Sequence, residues 1–269
     1  MKVIRMLTIA ATVVTVATGS LLLLTQAKVH AHGVFLDMRN RVPTLVLQAG
    51  SDDLAYGEDK LRSVHTFSQN GQVAQRVTPL FQPSMQNQQE GNAYFSTLSN
   101  IGAVQTFYQG WYWGKNAKGE WLIGDKQTLA EQSKDVGAFY KYSLSVTHGD
   151  FEVADLPARL WGNQPETALM LIPLLNPLSP TTPKQRGDVL PVQVWYQGKP
   201  LANYPVTPDY LNGFMKDEVM TNEQGIAFMP IRNQGLNVLQ VRVTQRPSPD
   251  TQADYIQHLA TFSFMLPWR

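Results

Sequence analysis

Two of the five histidines in this 269-residue chain, His30 and His32, lie where an apolar leader ends, in the stretch Lys28-Val29-His30-Ala31-His32-Gly33-Val34-Phe35. Histidine near a freed N-terminus is a chelating arrangement. A cut after Ala31 makes His32 the first residue. Its α-amine and one ring nitrogen then close a chelate ring on a metal ion, and Gly33 leaves the backbone room to approach. A cut after Ala27 starts the chain Lys28-Val29-His30 instead. The amine, two deprotonated amides and the third-position imidazole then offer four nitrogens in a plane, which suits Cu(II) or Ni(II). Both products are metal-capable. The plain alternative is that both histidines merely flank a processing site.

The leader supports such a cut. Lys2 and Arg5 precede an uncharged run over 6–27, followed by small residues, the layout of a secretory signal peptide. The run exceeds the ~7–15 residues of an ordinary signal core, so an uncleaved anchor is the competing reading. Gly19-Ser20 and several threonines weaken it as an anchor. Val29 and Ala31 occupy the −3 and −1 positions of one cut, and Thr25 and Ala27 those of the other. The expectation is a signal peptide over 1–31, export to the periplasm, and a mature chain starting at His32. Without Lys2, Arg5 and Lys28 the balance is 19 basic against 21 acidic side chains, a near-neutral chain with no basic patch for nucleic acid. The chain has no cysteine, which removes disulfides, thiolate metal sites and thiol nucleophiles. An ordinary core must hold it together, and 43% hydrophobic residues allow that.

His65, His148 and His258 each fall on the apolar parity of a β-prone run: His65 with Phe67, His148 with Val146, His258 with Ala260 and Phe262. Histidine on an inward face is ordinarily a hydrogen-bonded core residue. The functional reading is that one or two of them meet His32 and complete a nitrogen-rich site, His258 foremost. The acidic stretch Asp52, Asp53, Glu58 and Asp59 lacks the spacing of a calcium-binding helix-loop-helix and reads as a solvated turn. Phe107, Tyr108, Trp111, Tyr112, Trp113 and Trp121 could stack on a ligand, but such alternation reads first as cross-strand packing. No nucleophile elbow, phosphate loop, dinucleotide fingerprint or paired-histidine zinc motif occurs, so no enzymatic activity is expected.

The elements that must position these residues are strands. Short β-prone runs at 44–48, 63–68, 72–78, 93–98, 104–113 and 120–123 alternate with turn residues, among them Asn70-Gly71 and Lys118-Gly119. The segment 127–135 reads as a short helix or a long loop. Over 138–147, Tyr140, Tyr142, Leu144 and Val146 share one parity, a half-buried strand. Four prolines over 173–183 interrupt the pattern. The expected organisation is therefore all-β, as two β-sandwich-like domains: an N-terminal one over 32–172, a proline-rich linker over 173–185, and an Ig-like or transthyretin-like one over 186–269.

The start His32-Gly33-Val34-Phe35, Gly50-Ser51-Asp52-Asp53-Leu54, Gly119-Glu120-Trp121-Leu122, Tyr140-Lys141-Tyr142, the stretch from Arg232 to Leu239 and the ending from Tyr255 to Phe264 together resemble a known family. It is an exported domain-of-unknown-function family associated with nickel uptake and cobalt transport as a periplasmic component. The resemblance spans essentially the whole mature chain and is best in its C-terminal half. Members commonly carry a histidine-glycine pair just after the signal peptide, where His32-Gly33 stands; Phe35 departs from an expected tryptophan. The resemblance implies capture of a divalent transition metal, nickel or cobalt first, for an uptake system in the membrane; copper and zinc are further metals that a nitrogen site can take. The resemblance favours the cut after Ala31, with His32 as primary ligand and His258, His65 and His148 as candidate partners. The rival expectation is an adhesion or ligand-binding sandwich that uses the aromatics around Trp111 and Trp113.

Overall fold

A computed structural model describes residues 33–39, 42–49, 52–54, 56–69, 73–83, 90–95, 98–154, 156, 167–181, 184–212 and 217–267. The leader, His30 and His32, most of a glutamine-rich stretch over 82–90 and the Asn70-Gly71 turn lie outside these residues. Among the described residues, no helix is long and apolar enough to cross a membrane.

The fold is all-β. In chain order the strands are β1 (Gly33–Asp37), β2 (Thr44–Ala49), β3 (Asp52–Leu54), β4 (Tyr56–Gly57), β5 (Leu61–Ser68), β6 (Val73–Arg76) and β7 (Leu80–Pro83). They continue with β8 (Glu90–Tyr94), β9 (Ile101–Gln109), β10 (Trp113–Lys115), β11 (Trp121–Ile123), β12 (Val136–Val146) and β13 (Leu169–Pro173). Beyond the proline-rich stretch come β14 (Val189–Tyr196), β15 (Lys199–Pro200), β16 (Pro205–Val206), β17 (Val219–Met220), β18 (Ile226–Pro230), β19 (Leu236–Gln245) and β20 (Tyr255–Met265). One helical turn, α1 (Lys126–Leu129), replaces the longer segment left open by the sequence; the Asp125 side chain caps it by accepting from the Thr128 N–H.

An eight-stranded sheet is the centre of the molecule, running β11-β10-β12-β9-β5-β6, with β20 beside β12 and β19 beside β20. One face carries Phe67, Phe107, Leu144, Val146, Phe262 and Phe264, which pack on Leu169, Leu171, Leu190, Val192, Val194, Ala227 and Met229 of the sheet formed by β13, β14, β15 and β18. The other face carries Val64, Val104 and Tyr108, packed on Val34, Leu36, Leu45 and Ala93 of the sheet that contains β1, β2 and β8. Sandwich-like packing is thus built on both faces of one shared sheet.

That sharing corrects the expected division at 173–185. β20 pairs in parallel with β12, from Gly137 opposite Tyr255 to Val146 opposite Phe264, so strands from both expected domains lie in one sheet and one core. Local periodicity fixes which way each strand faces but not which distant strand it joins. The proline-rich stretch is itself tied down. Nδ2 of the buried Asn176 lies within hydrogen-bonding distance of the carbonyls of His148 (2.9 Å), Gly149 (3.0 Å) and Phe151 (2.9 Å).

Candidate functional site

The chain enters the described fold at Gly33, the residue after His32, and enters it rigidly. The Gly33 N–H donates to Tyr210 Oη at 2.7 Å, in a buried bond between residues 177 apart in sequence. A Cβ on Gly33 would stand 2.8 Å from Tyr210 Cε1, so only glycine fits under this ring without displacement. The rest of β1 is buried, with Phe35 packed on Val46, Tyr210, Leu236 and Val238. The Thr261 hydroxyl also donates to the Val34 carbonyl, fixing β1 to β20. His32 itself lies outside the described residues, but its attachment point is fixed by packing and two hydrogen bonds.

His258 is 3% exposed, on β20, with both ring nitrogens engaged. Nε2 faces the Gln245 Oε1 acceptor at 3.2 Å, so it carries the proton, and Nδ1 accepts from Tyr142 Oη at 2.9 Å. The rings of Tyr140 and Tyr196 meet it edge-on and Tyr142 stacks on it. Burial lowers its pKa to about 4, so the ring is neutral at physiological pH. A neutral imidazole with both nitrogens committed is a core group. Binding a metal there requires breaking one of these bonds.

His65 lies opposite Arg76 and Gln105, and its buried Nδ1 has no hydrogen-bond partner among the described residues. His148 follows the end of β12, partly exposed, with Nδ1 accepting from the Asp150 N–H at 3.3 Å. The sheet register keeps the three apart. His65 shares a cross-strand row with Gln105, Leu144 and Phe262. Three strand spacings and four residues of rise then put His65 roughly 20 Å from His258. Two residues beyond Val146, His148 is roughly 25 Å from His258 and roughly 16 Å from His65 by the same measure. Imidazoles bound about 2 Å from one ion cannot span these gaps. No group of three or more histidine, aspartate or glutamate side chains converges among the described residues.

The aromatic stretch is only partly open. Lys60 Nζ lies 2.9 Å from the centroid of the Trp111 ring, and Trp113 packs against Phe139 and Leu259. Trp121, on β11, has Lys115 Nζ 4.5 Å from its centroid. A ligand stacking on Trp111 or Trp121 would thus compete with a lysine already in place.

Sequence reasoning passed over Lys141. At the middle of β12 it is 6% exposed, pairs with Tyr108 on one side and Leu259 on the other, and holds its Nζ 4.9 Å from the Tyr108 ring centroid. Burial, with a further push from the Lys60 charge, lowers its pKa to about 7. Lysine is rarely buried without a counter-charge. The available signal was a lysine inside an otherwise apolar and hydroxyl-bearing run.

A family model described as a domain of unknown function, DUF4198, matches residues 29–245. A search of curated proteins finds no match to the chain.

Proposed function

Because the chain belongs to the domain-of-unknown-function family DUF4198, its activity has to be read from its own residues, and we propose that it is an exported, periplasmic metal-binding protein whose ligand site is its processed N-terminus. Nickel or cobalt is the cargo, passed to a membrane uptake transporter. His32 holds it through the α-amine and the ring. The observation that supports this reading is the anchoring of Gly33: its N–H on Tyr210 Oη and its tight fit under that ring hold the residue after His32 in one place. A chelate one residue from a fixed point loses little conformational freedom on binding.

The proposal relies on His32 without His258, whose nitrogens are spent on Tyr142 and Gln245. Copper is the nearest variant, since nitrogen sites bind Cu(II) more tightly than Ni(II) in most geometries. Two measurements test the reading. The intact mass of the exported protein fixes the first residue and is expected to begin at His32. Calorimetric titration of that form with Ni(II) and Co(II) is expected to show binding that His32→Ala abolishes. Unchanged affinity in the variant would overturn the assignment.

A further inference from the structure

The stretch from Arg232 to Asn237 joins β18 to β19 and is clamped from inside. Asn237, 1% exposed, accepts from the Asn233 N–H at 3.1 Å and donates Nδ2 to the carbonyls of Asn233 (2.8 Å) and Gly235 (3.0 Å). Gly235 supplies the left-handed conformation, φ +100°, that this turn needs. Facing it, the turn before β14 is tied to the same strand end: the Gly187 N–H donates to the Ile231 carbonyl and the Ile231 N–H to the Asp188 carbonyl, both at 2.9 Å. The third wall is the stretch 207–212 that follows β16, fixed by the Tyr210 N–H on the Val238 carbonyl at 2.9 Å. These three segments border an open cleft of about 410 Å³, a volume within the range of small-molecule sites.

Its charges are arranged by depth. Asp209 lines the cleft and is 2% exposed; its carboxylate accepts from the Asn212 N–H at 3.3 Å and Asn212 Nδ2 at 2.8 Å. A carboxylate offers about four acceptor positions, and Asn212 fills two. No cation pairs with Asp209 among the described residues. At the rim Arg186 is exposed, while Arg232 is held by Asp217 at 2.8 Å. Ile231 gives an apolar wall, and Asn233 and Asn212 add carboxamides.

We propose that this cleft binds a free α-amino acid, its ammonium on Asp209 and its carboxylate on Arg186. A buried carboxylate with unused acceptor sites favours a cationic donor, and an exposed guanidinium at the mouth favours a carboxylate it can meet with two parallel hydrogen bonds. An ammonium and a carboxylate on one carbon satisfy both. A bare divalent cation fits less well, because two guanidinium groups share the same cleft.

The test is calorimetric titration of the exported full-length protein, in chelator-containing buffer, with each common amino acid up to ~10 mM, a range that reaches millimolar dissociation constants. Binding of at least one is expected. Its N-acetyl and its amide derivatives should each bind about tenfold or more weakly, as loss of a charged hydrogen bond implies. In Arg186→Gln, an exposed change that leaves the fold intact, affinity for the amino acid should drop and amidation should cost nothing further. Asp209→Asn serves as a second probe, with circular dichroism confirming that it folds. Dipeptides in the same panel report whether the cleft takes a longer zwitterion. No binding across the panel would overturn the proposal, as would binding insensitive to acetylation and to Arg186→Gln, or binding seen only in a parallel titration without chelator. The His32 variant is expected to bind the amino acid normally, so failure here and failure of the metal reading are separable.

Discussion

Tyr142 Oη and His258 Nδ1 are 2.9 Å apart inside the central sheet, their rings stacked with centroids 6.0 Å apart and planes 17° from parallel. The pair belongs to neighbouring parallel strands, β12 and β20, so it joins chain segments 116 residues apart. Its chemistry is that of a neutral imidazole, and this has a thermodynamic consequence.

The pKa of His258 falls from 6.5 to about 4 on folding. Between those values the unfolded chain binds the proton and the folded chain does not. Stability is therefore fully present above about pH 6.5 and is lost as pH drops toward 4. The whole shift corresponds to about 3 kcal/mol. Urea unfolding of the exported protein between pH 7 and pH 4 is expected to show this loss, and His258→Phe is expected to flatten that part of the profile. An unchanged slope in the variant would assign the acid sensitivity to other groups.

Gly33→Ala brings a methyl group to 2.8 Å from the Tyr210 ring. The ring is buried beneath β1 and β19, so it cannot swing away freely. The expected loss is about 1–3 kcal/mol, the usual cost of overpacking. Tyr210→Phe removes the hydroxyl that accepts the 2.7 Å bond from the Gly33 N–H and is expected to cost about 1–2 kcal/mol. Thermal unfolding of both variants checks the order. If His32 is the metal ligand, both should also weaken Ni(II) binding, because each loosens its attachment point.

Strand positions and the inward parity of β12 and β20 were legible in the sequence. Tyr142, Leu144 and Val146 do share a face with Phe262 and Phe264. The opposite face of β12 was not legible. It carries Lys141, Ser143 and Ser145, which alternation reads as solvent-facing, yet all three are buried. Hydroxyl pairs make that burial tolerable: Thr106 with Ser143 and Ser145 with Ser263, each at 2.6 Å. Such pairs form between strands far apart in the chain and leave no mark in local periodicity. The same blindness hid the row that separates His65 from His258. It also hid Asp209, a single aspartate whose burial depends on two distant turns.

Lys141 carries the same sign of pH dependence as His258, in a more alkaline window. Its pKa falls from 10.5 to about 7 on folding. Between those values the unfolded chain holds the extra proton, so stability rises as pH increases from about 7 to about 10.5. Below pH 7 the folded protein carries the full cost of a buried ammonium, on the order of 5 kcal/mol. Lys141→Met replaces that ammonium with a thioether of similar length. It is expected to raise the unfolding free energy at pH 7 and to remove the alkaline rise. A variant less stable than wild type at neutral pH would show that the contact with the Tyr108 ring outweighs desolvation. Lys60→Met should shift the alkaline rise to higher pH, since the Lys60 charge is the second cause of the depression.

Whether the chain unfolds in one step or two depends on the proline-rich stretch. If the proline-rich stretch were a linker between independent domains, breaking it would uncouple them. Its centre, Asn176, instead clamps three carbonyls of the 148–151 turn, and Leu178 N–H donates back to Asn176 Oδ1 at 2.9 Å. Asn176→Ala leaves those buried carbonyls short of a donor, at an expected cost of about 2–3 kcal/mol. Asn176→Asp keeps the acceptor but turns a carboxylate toward the same carbonyls, and should cost more. Phe151 and Leu169 on either side of this clamp belong to the same core cluster as Val192 and Phe262. Unfolding of Asn176→Ala should therefore remain a single transition at lower denaturant, with tryptophan fluorescence and circular dichroism coincident. Two separated transitions would mean that β20 can leave β12 while β13 and β14 stay folded, and that the shared sheet is weaker than its continuous pairing from Gly137 to Val146 implies.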